Sequence, residues 1–433
     1  MNKTFMRAAF AAALMMTTAG VGAVIVPTAA HAEPKVSRDV GKLLSEAQEL
    51  TKTKDWQGAL AKVKEAQAVE NKTDDDNYVI NKFLGFVSIN LQDYATATTA
   101  YEAMATSPSL PDEEKKEVFR NATLLSGQAQ HWPQVIYDAK ELEKLNAMDD
   151  KTYAVLAQAY YFTDDFANAK VAAQKSIDMA KASGAEPQQA ALQIVMSAQA
   201  KTNDQAGAEQ TLEQLAVQYN SPSSWRQLAD VAMGTKGIKD LDALYLYRLK
   251  YATGAMTQAD DYTIMASLAN QLGYPSEAKA VLERGIGSGK LSSGKAAAQM
   301  AKARQGAAID ERSLSTYAAQ AKRSKSGEQD VKLAEDYYGY GRYAEAAEAA
   351  QRAISKGGLK DPSEGPMILG MAQMGQGKYA AAEQTFKTVR GTAARHKAAH
   401  VWTLYAQAKQ KATAPAQSQA APAKTPADGE KSQ

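Results

Sequence analysis

The sequence predicts an all-α fold, a solenoid of about ten stacked helix hairpins with a C-terminal capping helix. Two observations predict it. The first is a spacing. A small or apolar residue opening a second helix recurs at Ala59, Ala97, Val135, Ala169, Ala208, Leu241, Ala278, Ala346 and Ala382, at intervals of 38, 38, 34, 39, 33, 37, 68 and 36 residues. Two antiparallel helices of about 12 to 14 residues with short turns use about 34 residues. The gap of 68 is twice 34, which predicts one degenerate unit between Ala278 and Ala346. The second observation is composition. Aromatics make up only 7% of the 433 residues, alanine, the strongest helix former, is abundant, and proline is rare outside the ends and turns. One hairpin cannot bury its own apolar face, so each must stack on its neighbours.

The pattern is clearest over residues 330–389. Leu333, Ala334 and Tyr337 lie on one helix; a Gly-Arg-Tyr turn at 341–343 follows, and then Ala346, Ala350 and Ala353 at i, i+4 and i+7 of a second helix. The next copy has Leu369 and Gly370, a Gly-Lys-Tyr turn at 377–379, then Ala382, Phe386 and Val389. This resembles the tetratricopeptide repeat, W-x2-L-G-x2-Y followed by A-x3-F. The resemblance implies a right-handed superhelix. Close helix approach is expected at two pairs, Gly370 with Ala382 and Ala334 with Ala346, the turn aromatics Tyr343 and Tyr379 capping the seam.

Taken in order, the chain begins with Lys3 and Arg7, an apolar run from about Ala8 to Val26, the helix breaker Pro27, and Ala30-His31-Ala32. These are the parts of a secretory signal cleaved after Ala32, so residues 1–32 are expected to leave and the mature protein to be periplasmic. Repeats are expected over 33–290. Leu84-Gly85, Asp93-Tyr94, Ala97 and Tyr101 make the second nearly complete, and Tyr153, Leu156, Ala157 and Tyr160 with Asp165-Phe166 and Ala169 make the fourth. Two stretches depart from the pattern: 236–255, where Leu241 stands at a small-residue position, and 291–326, read as a degenerate helical repeat without an aromatic turn. Repeats and a capping helix are expected over 327–411. The Ala/Pro-rich remainder, 412–433, has no apolar period and is expected to be disordered.

Charge and composition narrow the chemistry. The formal charge of +2 disappears with the signal, leaving 48 basic against 48 acidic residues, a balance without the footprint of nucleic-acid or anionic-membrane binding. No later stretch is apolar enough to hold the chain in a bilayer. Cysteine is absent, which excludes disulfides and thiolate metal sites. His396 and His400 stand four apart but without the intervening carboxylate of a metalloprotease helix, and they read as solvated polar residues rather than a metal site. The stretch 289–296, GKLSSGKA, misses the phosphate-loop pattern at Ala296, which lacks the hydroxyl that would meet magnesium, and it reads as an inter-repeat loop. Acidic pairs at 164–165 and 74–76 fall where Asp caps helix starts. No cofactor and no catalytic set is therefore expected, and the chain does not read as an enzyme.

The resemblance further implies a concave groove lined by first helices. The groove positions carried over are Phe86, Ile89, Gln158, Tyr161, Asp230, Met233, Asn270, Glu335, Tyr338, Met371 and Met374, with Met367 on the same face as the last two. Methionine adapts to varied apolar partners; a helical methionine stripe is also an ordinary way to build a core. The groove so read holds few cations. The function expected is a non-catalytic scaffold that binds a protein or peptide partner in cell-envelope assembly or transport. The alternative is a cell-wall or carbohydrate-binding accessory protein, or a regulator of a peptidoglycan enzyme.

Overall fold

One backbone turn, recurring between the two helices of eight hairpins, sets the repeat. Lys54, Gln92, Gln130, Asp164, Asn203, Gly273, Gly341 and Gly377 all sit at positive φ, between 60° and 89°. Each sends its N–H to the carbonyl three residues back, and the next residue reaches five back, as Gly341 does to Tyr338 and Arg342 to Tyr337. That left-handed cap satisfies carbonyls the first helix would otherwise leave unpaired. In several turns the following residue then caps the second helix: Asp55, Asp93 and Asp165 accept the N–H of Gly58, Thr96 and Asn168. The triple Asp at 74–76 also serves a helix start, because Asp76 completes a capping box with Thr73.

The computed structural model describes residues 34–413. The expected signal segment and nearly all of the expected tail lie outside the described residues. Among the described residues there are twenty helices and no strand, an all-α chain of tetratricopeptide-like hairpins. The chain forms two units divided between Thr211 and Leu212, and the division falls within one helix.

In the N-terminal unit the hairpins are α1 (Arg38–Lys52) with α2 (Trp56–Gln67), α3 (Asp74–Asn90) with α4 (Tyr94–Ala105), α5 (Lys115–Gln128) with α6 (Trp132–Lys144), and α7 (Asp150–Phe162) with α8 (Phe166–Ala182). Then come α9 (Gln189–Lys201) and α10 (Gln205–Tyr219), the helix that contains the division. The core is continuous along the stack: Val40, Leu44, Val63, Ile80 and Leu84 form one cluster, and Tyr78, Met104, Val118, Phe119 and Leu142 the next.

The C-terminal unit continues with α11 (Pro222–Met233), α12 (Asp240–Ala252), α13 (Ala259–Leu272), α14 (Pro275–Gly287), α15 (Ser293–Arg323), α16 (Glu328–Gly339), α17 (Tyr343–Lys356), α18 (Glu364–Gly375), α19 (Tyr379–Lys387) and α20 (Ala393–Thr413). Where the spacing predicted a degenerate helical repeat over 291–326, a single 31-residue helix, α15, runs through. Its buried residues Ala296, Met300, Ala303, Ala307, Leu314 and Ala321 keep to one stripe. An unbroken stripe at helical period needs no turn. The near-phosphate-loop supplies the approach to α15 and its first turn, with Ser292 as the cap that accepts from Lys295.

α12 explains the irregular stretch around Leu241. Leu244, Tyr245, Leu246, Arg248 and Leu249 are all buried, so this helix is enclosed on every side. One wall is α20, which does more than the capping expected of it. α20 packs on α19 and α18, and also returns to α11 and α12 at the start of the same unit. Trp402 Nε1 donates to the Tyr245 carbonyl at 3.0 Å, and the Tyr405 hydroxyl to the Ala252 carbonyl at 3.1 Å. The C-terminal unit thus closes on itself.

Candidate binding pocket in the C-terminal unit

Enclosing α12 puts two basic side chains where water cannot reach them, and each finds partners. Arg248, 1% exposed, makes a two-pronged contact with Glu277 of α14, both bonds 2.7 Å. Its Nη1 lies 2.6 Å from Glu335 Oε2 of α16. The Tyr245 hydroxyl donates to the other oxygen of Glu335 at 3.2 Å, and the Tyr338 ring lies under the guanidinium at 4.7 Å. Burial works against the charge on Arg248, but Glu277 and Glu335 outweigh it and hold the group firmly protonated. Burial raises Glu335, and Arg248 opposes that rise. The second charge, Lys250, pairs with Asp230 of α11.

A further buried cation comes from α20. Arg395 Nε bonds Asp242 of α12 at 2.5 Å, and its Nη1 bonds the Ser363 hydroxyl at 2.6 Å with Asp361 3.2 Å away. Such buried pairs add little net stability, because desolvation offsets the attraction, but losing one partner costs about 3 to 5 kcal/mol. Here they tie α12 to α14, α16 and α20 in one register.

Beside this network lies a cavity of about 460 Å³, walled by α12 to α14 and α16 to α20. Arg248 and Glu277 reach its lining, but tyrosine dominates it: Tyr251, Tyr338, Tyr340, Tyr343 and Tyr379 are all half-buried there. Trp402, Tyr405, Met371 and Met374 add apolar surface. The tyrosines come from the repeat itself. Tyr343 and Tyr379 are the residues that open a second helix two positions after a left-handed glycine. A Cβ on Gly375 would lie 2.5 Å from the Tyr343 ring, so the missing side chain lets that ring lie against α18. Two more cations face the cavity, Arg284 and Lys409. Arg284 sits 4.4 Å from the Tyr251 ring centre and Lys409 5.6 Å from that of Tyr379.

The groove residues read from the sequence are divided between the units. Phe86 and Ile89 are half-buried in the N-terminal unit, Phe86 edge-on to Trp56 at 5.6 Å, while Gln158 and Tyr161 are buried there. In the C-terminal unit, Asp230 is exposed and engaged by Lys250, and Met233 packs on the core around Met265. Asn270 is half-buried, Glu335 is spent on Arg248, and Tyr338 lines the cavity. The stripe Met367, Met371 and Met374 is buried, Met367 completely, and only the last two touch the cavity. Packing against the chain itself, not a free groove face, holds these thioethers. The sequence reading missed Tyr251, Arg284, Tyr340, Lys409, Trp402 and Tyr405 as lining residues. They stand on second helices, a turn and the last helix, outside the first-helix positions that the repeat pattern marks. Away from the cavity, His400 Nε2 lies 2.9 Å from Glu213 and His396 is exposed. Among the described residues no group of three metal-ligating side chains comes together, and no helix is long and apolar enough to cross a membrane.

No family model and no curated relative matches the chain. Solved structures similar to it include a tetratricopeptide repeat protein from Parabacteroides merdae, at 11% identity, covering 78% of this chain and all of that one with a TM-score of 0.32. A second is the Naa15/Naa10 assembly bound to HypK-THB, at 18% identity over 83% of this chain and 58% of that one, TM-score 0.36. A third is the P58(IPK) TPR domain, at 12% identity over 87% and 99%, TM-score 0.23. The class to which the chain's own hairpins assign it is that of tetratricopeptide-like helical repeat proteins.

Proposed function

We propose that the chain is an exported, non-catalytic scaffold of the periplasm that binds a protein or peptide partner of the cell envelope. The observation that carries the binding role is the tyrosine-lined cavity of the C-terminal unit, whose size falls among ligand sites of roughly 300 to 1,000 Å³. Half-buried tyrosines supply large, rigid contact area at small entropic cost. The export role rests on the basic start, apolar run and Ala-His-Ala site of the first 32 residues. The test is site-specific photo-crosslinking in cells, with the crosslinker at Tyr340 in the cavity or at Ile309 on the exposed face of α15. An envelope protein joined from position 340 and not from 309 is expected. The mature chain should begin at Glu33 in the periplasmic fraction; a chain beginning at Met1 in the cytoplasm overturns the export role. Tyrosine faces also suit sugar rings, which favours as second reading a cell-wall or carbohydrate-binding accessory, or a regulator of a peptidoglycan enzyme. Retention on isolated sacculi without a crosslinked protein would select it.

A further inference from the structure

The buried cations of the C-terminal unit are all spoken for: Arg248 by Glu277 and Glu335, Lys250 by Asp230, and Arg395 by Asp242 and Asp361. Arg284 and Lys409 are different. Both line the 460 Å³ cavity, and neither meets a carboxylate among the described residues. Each is held instead over a tyrosine face, Arg284 on Tyr251 and Lys409 on Tyr379. A ring face orients a cation without cancelling its charge. The one carboxylate in the lining, Glu277, gives both oxygens to Arg248. The cavity therefore presents two oriented, uncompensated positive charges beside the half-buried rings of Tyr251, Tyr338, Tyr340, Tyr343 and Tyr379.

We propose that the cavity takes an acidic segment of the partner protein, with Asp or Glu carboxylates meeting Arg284 and Lys409 and an adjacent aromatic or aliphatic side chain lying on the tyrosine surface. This rests on the scaffold reading and deepens it. The carboxylates complete the ion pairs that the chain leaves open, at Lys409, which is half-buried, and at Arg284, which is exposed and therefore screened by salt. The chain's overall charge balance makes the attraction local to the cavity.

The experiment is a fluorescence-polarisation titration of the full mature chain with a fluorescein-labelled peptide, Ser-Glu-Asp-Phe-Asp-Glu-Ser. A C-terminal amide removes its terminal carboxylate. Its counterpart carries Gln and Asn in place of Glu and Asp. The acidic peptide should bind at least about tenfold more tightly than the amide counterpart, and more weakly as salt rises. Arg284→Gln with Lys409→Gln should cost about tenfold, while Lys302→Gln on the exposed face of α15 should change nothing; circular dichroism checks that each variant keeps its helix content. Equal binding of the two peptides, no binding of either, or undiminished binding to the double variant overturns the proposal. Displacement of the peptide by an equal concentration of inorganic phosphate also overturns it, since the cavity would then take a bare anion. Crosslinking from position 340 separates the two readings. A partner captured equally by the parent and the double variant keeps the scaffold and sinks the acidic segment. If the parent captures none in cells, the scaffold reading fails, while the titration still decides what the cavity prefers.

Discussion

At the scale of residues, a glycine in the first helix and a ring in the second form the packing unit. A Cβ on Gly370 would lie 2.5 Å from Phe386, and one on Gly85 would lie 2.8 Å from Tyr101. In both hairpins the ring stands four residues after a fully buried alanine, Ala382 or Ala97. The spacing in the sequence made these positions legible, though it paired glycine with alanine, and the space is taken by the aromatic one turn further on. The methionine stripe was not decidable from sequence, because helical period gives the same pattern for a core face and a groove face. Burial of Met367, Met371 and Met374 at 0%, 1% and 8% exposure decides for the core. Changing all three to Gln would bury amides without partners, each costing on the order of 1 to 3 kcal/mol. Thermal melts should show a large drop in Tm and lost helix in the last repeats; a variant that melts with the parent would return the stripe to the surface.

At the scale of elements, α15 and α16 bring the carboxyls of Asp310 and Asp336 together, with only Lys332 opposing the repulsion at Asp336. Asp336 is raised to about 8 by burial, with Asp310 and Glu335 adding to the rise. Asp310 itself is raised by burial, while its hydrogen bond from Tyr340 opposes the shift. A carboxyl raised on folding binds its proton more tightly in the folded state. Its stabilising contribution is complete below the unfolded value near 4 and is lost as pH rises through the folded value. Glu364, raised to about 7 by burial and by Glu335 and Asp361, acts in the same direction. Glu383 acts in the opposite one. Held at about 2 by hydrogen bonds from Gln407, Lys387 and Gln410, it stabilises at neutral pH and loses that contribution only in acid. The C-terminal unit should therefore weaken between about pH 5 and pH 8, by up to about 1.4 kcal/mol per pH unit for each such carboxyl. Asp336→Asn removes one of them, so urea unfolding at pH 5, 6.5 and 8 should give a shallower decline than the parent. Parallel profiles would show that Asp336 does not titrate in that window.

At the scale of the whole molecule, what was legible is what is local. Eight left-handed turns, their caps and the helices between them follow from short-range chemistry, and the interval of 68 located α15 although its unbroken length was not foreseen. Closure of the C-terminal unit was not legible, because Trp402 and the Tyr245 carbonyl it bonds are 157 residues apart and no periodicity links them. Closure changes how stability should be distributed. In an open repeat array each hairpin feels only its neighbours, so damage to the last helix stays at that end. Trp402 instead stacks on Phe386 of α19 at 5.7 Å and bonds to α12, so its loss should be felt at both ends of the unit. Trp402→Ala removes a side chain that is 1% exposed, at a cost of about 3 to 5 kcal/mol. Native-state hydrogen exchange on that variant should show protection falling together in α11, α12, α19 and α20. Were the loss confined to α19 and α20, with α11 and α12 exchanging as in the parent, α20 would be a terminal cap and the unit would behave as an open array.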